Sequence, residues 1–142
     1  MKFSDVEASS WEELQPYVDT CLLPVTGLTG DEQPWEATKC LEDLRDALDL
    51  LEIPYKGRVL TYPAFHYVPA DTGMPQLQQI CKKLKSSFRY VVLVSAQQGA
   101  ASQMDSADAD AAFVITPEIL KEAKAAVQSN IAEKLQQIWA GR

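Results

Sequence analysis

Arg89-Tyr90-Val91-Val92-Leu93-Val94-Ser95 is an unbroken run of strand-forming apolar residues held between a charged and a polar end. A strand with one wet face alternates apolar and polar residues, whereas a strand covered on both faces does not. The run therefore reads as a strand sandwiched between two layers of helix. Three further segments share the pattern: Asp19 to Val25, Arg58 to Tyr62, and Ala111 to Ile115.

The segments between these strands carry helical periodicity. Pro34 suits a first helical position, and Ala37, Cys40, Leu41, Leu44, Ala47, Leu48 and Leu51 recur at spacings of three and four. Glu42, Asp43, Arg45, Asp46 and Asp49 take the opposite face, and Pro54 and Gly57 end the helix after Glu52. A second helix is expected from Pro75 to Ser86. A third starts at Thr116 and Pro117, with Leu120, Ala123, Val127, Ile131, Leu135 and Ile138 inward. Near the N-terminus, Ser10 and Glu13 have the spacing of a capping box for a short helix that stops by Pro16. Ala96 to Asp110 shows neither period and reads as a long polar loop, a length associated with function or mobility. Strands alternating with helices require right-handed crossovers, hence an α/β, three-layer αβα fold around a mostly parallel four-stranded sheet.

The chain has 142 residues, enough for one domain, 1–142, that buries roughly 68% of its unfolded surface. With 46% apolar and 23% charged residues it has the composition of a soluble protein. It has no apolar stretch near ~20 residues, so no membrane partner is expected. Met1-Lys2-Phe3-Ser4-Asp5 opens no secretory signal. The net charge of −7 argues against nucleic acid, whose affinity rests on clustered Lys and Arg. Lys82, Lys83 and Lys85 fall opposite the apolar face of their helix, where solvated lysines belong. Cys21, Cys40 and Cys81 are odd in number, far apart and embedded in apolar patterns, and read as core residues of a cytoplasmic protein.

In such sheets ligands bind beyond the carboxyl ends of the strands. Asp31 and Glu32 follow the first strand, His66 and Tyr67 the second, and Gln97 and Gln98 the third. These six make the candidate binding pocket. His66 is the single histidine; it suits a general base or metal ligand, but metal sites draw on two or more His or Cys, which leaves a structural role open. Asp31 and Glu32 can hold a hard cation or simply favour a helix N-terminus. Asp105, Asp108 and Asp110 lack the glycine and bidentate glutamate of a calcium loop. Ser95 to Ala101 has no phosphate-loop spacing and no lysine, and Ser95 lacks the G-x-S-x-G elbow. No catalytic residue, metal site or cofactor is assigned.

Tyr17-Val18-Asp19-Thr20 leading into Leu22-Leu23-Pro24-Val25, and Lys56-Gly57-Arg58-Val59-Leu60 into Tyr62-Pro63-Ala64-Phe65-His66-Tyr67, resemble the YpiF-like proteins of spore-forming Gram-positive bacteria, a family of unknown function. That resemblance implies a bacterial cytosolic protein but no reaction. A second similarity is to creatininase-type metal amidohydrolases, through Leu23-Pro24-Val25-Thr26-Gly27 with Asp31-Glu32-Gln33-Pro34, and Ser87-Phe88-Arg89 through Gln97-Gln98-Gly99. Where that family places histidines this chain has Pro34 and Gln98, so the similarity implies a creatininase-like fold without its metal chemistry. A flavodoxin-like arrangement is the alternative. The function expected is a non-catalytic interaction or regulatory protein, with an unknown protein or a second copy as partner through Trp11, Trp35, Trp139 or the C-terminal helix. The competing reading is a small-molecule-binding protein or reduced amidohydrolase using Glu32, His66 and Gln98.

Overall fold

A computed structural model describes residues 1–66 and 73–141. The elements run α1 (Ala8–Leu14), β1 (Thr20–Pro24), α2 (Pro34–Glu52), β2 (Val59–Thr61), α3 (Gly73–Leu84), β3 (Tyr90–Ser95), α4 (Ala101–Ser106), β4 (Ala111–Val114) and α5 (Pro117–Ala140). The four strands form one sheet in the order β2-β1-β3-β4, and every pairing is parallel. The "mostly parallel" sheet is thus wholly parallel among the described residues.

Strand order and crossover hand together place the helices. The step from β1 to β2 carries α2 over one face. The chain must then pass back beyond β1 to reach β3 and β4, and reversing direction with right-handed crossovers puts α3 and α4 on the other face. The packing follows that rule. Leu22, Val59, Val92, Val94 and Phe113 face α2 and α5, whereas Cys21, Leu23, Leu60, Val91 and Leu93 face α1, α3 and α4. Alternate residues of β1 and β3 serve opposite layers, so both strands are buried throughout, as their unbroken apolar pattern requires.

Several boundaries and faces differ from the sequence reading. Helix α1 starts at Ala8 with Glu7 as its N-cap, and Ser10 is the third helical residue, its hydroxyl accepting the Glu7 amide at 3.2 Å as the inner half of the capping box and not as the N-cap itself. Helix α3 starts two residues before Pro75, and the missing N–H of Pro75 falls among the first-turn donors that have no helical partner. The 96–110 segment is ordered by a short 3-10 turn at Gln98–Ala100 and by α4, whose Met104 is buried in the α3 layer. Leu41, expected inward on α2, is exposed, while Leu50 is buried because α5 packs along that flank. On α5, Ala123 leaves helical geometry (φ −144°, ψ 42°), and residues 121–126 are exposed, so of the expected inward face Ala123 fails while Leu120 and the residues from Val127 onward pack on the core.

The amino ends of the strands are tied by a polar lattice. Arg58 grips Asp19 with two bonds, Nε to Oδ1 and a terminal guanidinium nitrogen to Oδ2, both 3.0 Å. The same guanidinium lies 4.0 Å from the Trp139 ring centroid. Trp139 Nε1 donates to Thr20 Oγ1 at 2.9 Å, and that hydroxyl donates to Asp19 at 2.9 Å. Tyr55 closes on Trp139 edge to face at 5.4 Å. The end of α5 is thereby fixed to β1 and β2. On the outer edge of β2, the Thr61 amide donates to the Met1 carbonyl at 2.8 Å, and Lys2 Nζ and the Thr61 hydroxyl both bond the buried Glu52 carboxylate. Residues 1 and 2 thus cover part of an edge that would otherwise invite pairing.

Trp139→Phe keeps the ring but loses the Thr20 bond, and is expected to cost about 1 kcal/mol in urea unfolding. Trp139→Ala also removes the ring beneath Arg58 and against Tyr55 and should cost about 3 kcal/mol. Equal costs for the two would show that the hydrogen bond alone holds the C-terminal end of α5.

Candidate functional site

In doubly wound sheets the crevice opens where the strand order reverses, which here is between the carboxyl ends of β1 and β3. Residues 25–33 leave β1 and residues 96–100 leave β3 at that point. Val25 still pairs, its amide donating to the Val94 carbonyl at 2.8 Å, and Phe65 bridges Val25 from the β2 side. The two loops then close on each other. Gly27 adopts φ +76°, and a Cβ built there would meet Gln97 Cβ at 2.9 Å. Only glycine gives both the left-handed turn and the close approach.

A cleft of ≈ 380 Å³ remains beside that contact, lined by Glu32, Trp35, Lys39, Cys40, Asp43 and Gln97 among others. Its polar groups are largely engaged by the chain itself. The Glu32 carboxylate accepts the amides of Thr29 (2.9 Å) and Gly30 (2.9 Å) and the Thr29 hydroxyl (3.0 Å). The Thr29 amide foremost, with Gly30, holds the Glu32 carboxyl below the ordinary glutamate range. Glu36 accepts the Gln33 amide at 2.9 Å at the start of α2. Lys39 pairs with Asp43 one turn on. Two carboxylates therefore already occupy the loop and first turn where an incoming anion would bind, and they repel it.

The thiol at the base of the cleft is no nucleophile. Cys40 Sγ donates to the Thr26 carbonyl at 3.0 Å, and burial pushes its pKa up, partly offset by the Gln97 side chain. The other cysteines are buried and free as well, Cys21 raised to about 12 chiefly by burial and Cys81 to about 11 for the same reason. Thiolate, the reactive form, is scarce at neutral pH for such groups.

Of the six candidate pocket residues, Glu32 and Gln97 line this cleft together. Asp31, His66 and Gln98 are exposed and are not part of its lining. Tyr67 lies outside the described residues. No group of three or more His, Cys, Asp and Glu able to hold a metal occurs among the described residues. No helix among them is long and apolar enough to cross a membrane. The fourth strand end is also self-satisfied, the Ile119 amide donating to Thr116 Oγ1 at 3.3 Å.

A second concavity lies on the α2 and α5 face, which sequence reasoning did not single out as a site. It is a groove of ≈ 650 Å³ with Asp46, Asp49 and Ile53 on the α2 side and Leu120, Lys121 and Lys124 on the α5 side. Ile53 is 71% exposed. The signal available in the sequence was Ile53 just past a helix of polar outer residues, but the groove itself lies between two helices far apart in the chain, with its α5 wall beside the break at Ala123. Of the three tryptophans, Trp11 packs on Phe88 and Trp139 on Tyr55, and Trp35 stands 70% exposed at the rim of the strand-end cleft.

Gly27→Ala and Gly30→Ala separate strain from contact. Both glycines have positive φ, but a Cβ at Gly30 meets nothing within 4 Å. Gly30→Ala should cost ~1 kcal/mol from backbone strain, and Gly27→Ala distinctly more because Gln97 must also move. Equal losses in chemical unfolding would show that the two loops do not bear on each other.

A family model described as a protein of unknown function (DUF2487) matches residues 9–140. No curated protein and no solved structure matches the chain.

Proposed function

We propose a docking role for this chain, which belongs to the protein family of unknown function DUF2487: it holds a macromolecular partner on its α2 and α5 face and performs no chemistry of its own. The observation that carries this reading is the ≈ 650 Å³ groove there, with charged walls and an aliphatic side chain, Ile53, left 71% in water. An apolar anchor ringed by charge is the usual make-up of a recognition patch. The strand-end crevice, where an α/β protein binds a small ligand, points the other way. Its Glu32 and Glu36 carboxylates are spent on the chain's own amides, and its thiol is protonated.

The echo of creatininase-type amidohydrolases supports the same reading. At the two positions where those enzymes place histidines, Pro34 opens α2 and Gln98 sits exposed on a 3-10 turn, neither of them a metal ligand. The YpiF-like motifs, the three buried free thiols and the net charge of −7 favour a bacterial cytoplasmic protein that does not bind nucleic acid. The second reading, a small-molecule site at Glu32, Trp35 and Gln97, is favoured by the exposed indole at that rim.

A photo-crosslinking residue placed at Ile53 in cells is expected to trap a partner, and one placed at Gln98 to trap none. Thermal unfolding against divalent metals, nucleotides and small amides should stay flat. A ligand present at ~100 times its Kd would add about 2.7 kcal/mol. A shift of that size, lost in Gln97→Ala, would replace the docking role with the small-molecule reading.

A further inference from the structure

We infer that the occupant of the α2 and α5 groove is a second copy of this chain, related by a two-fold axis that runs along the groove; this rests on the reading of that face as an interface. The two walls carry opposite charge, Asp46 and Asp49 on α2 against Lys121 and Lys124 on α5. They do not satisfy each other within the chain. Asp46 pairs with its neighbour Arg45 at 3.3 Å, and among the described residues Asp49, Lys121 and Lys124 form no ion pair. Lysines 121 and 124 flank the break at Ala123 on an exposed stretch of α5, so their ammonium groups are free to reach outward.

This pattern selects its partner. A protein surface of a single sign gains at one wall and is repelled at the other. The partner must present acid and base side by side in the same spacing, and this chain does so. An isologous contact sets residue i of one copy against j of the other and j against i. With the axis along the groove, each α5 wall, with its lysines and Leu120, meets the partner's α2 wall, with its aspartates and Ile53. Net charge points to the same face. A chain of −7 resists self-association, yet this lining carries both signs, three aspartates and two lysines, so opposite charges can be brought together across it.

Sedimentation velocity of the full chain over a concentration series tests the inference. The wild type should show a monomer–dimer equilibrium that weakens with added salt, since exposed pairs are screened. The double variant Lys121→Glu, Lys124→Glu should raise the dimer Kd at least ~100-fold, because like charges then face each other. Asp46→Lys with Asp49→Lys should do the same, and an equimolar mixture of the two double variants should dimerise again. These positions are on the surface, and unchanged thermal unfolding of each variant shows that folding is intact. Ile53→Arg is a further monomerising variant that leaves both charged walls in place. A wild type that stays monomeric at every concentration, or reversed variants that dimerise as tightly as the wild type, overturns the inference. If the chain is monomeric while the Ile53 crosslinker traps another protein, the second-copy inference fails and the docking reading stands; if neither occurs, both fail.

Discussion

The pairing of β1 with β3 is the constraint on which the rest of the structure depends. Five consecutive residues pair in parallel register, from Thr20 opposite Tyr90 to Pro24 opposite Val94, and every side chain of both strands is buried. Backbone donors and acceptors so far from water must find each other, so the register is held by hydrogen bonding as well as by packing. A slip of one residue would exchange the two faces and set Cys21, Leu23, Val91 and Leu93 against the wrong helices. With β1 and β3 central, β2 and β4 can only flank them, and crossover hand then assigns α2 and α5 to one layer and α1, α3 and α4 to the other.

The same pairing locates the crevice at the strand ends and explains why the chain fills it. Two adjacent parallel strands deliver two loops to nearly the same place, and here the loops meet at Gly27 and Gln97. Glu32 and Glu36 satisfy the amides that a phosphate or carboxylate ligand would use in other proteins of this architecture. At the opposite end, Arg58, Asp19, Thr20 and Trp139 lock the tail of α5 to the sheet. The N-terminal turns of α5 lie beyond that lock, on the far side of the break at Ala123, where Leu120 still packs on the core. A wholly parallel sheet, a crevice narrowed by the chain's own loops and a charged helical groove thus go with one topology.

Much of this was legible in the residues. The unbroken run from Tyr90 to Val94 demanded two covering layers, and Pro34 with the spacing of Cys40, Leu44, Leu48 and Leu51 fixed α2 to the residue. What escaped was set by tertiary contact. Leu41 follows the periodicity but faces water, and Leu50 breaks it but is covered by α5. The 96–110 segment looks polar because α4 is short and turns one large side chain inward, Met104, which is too little to register as a period. At the crevice, Glu32 and Gln97 were named from their place after strands, which topology alone supplies. The groove on α2 and α5 was invisible because its walls come from residues some 70 positions apart, and the helix break beside it has no proline or glycine at the site.

The most direct test of where this protein makes contact is the concentration dependence of its backbone amide NMR spectrum. Dilution should move the amides of residues 46–53 and 120–124 while those of 27–33 and 96–100 stay fixed. Fixed amides throughout α2 and α5, or shifts confined to the loops around Gly27 and Gln97, would contradict recognition through the helical face.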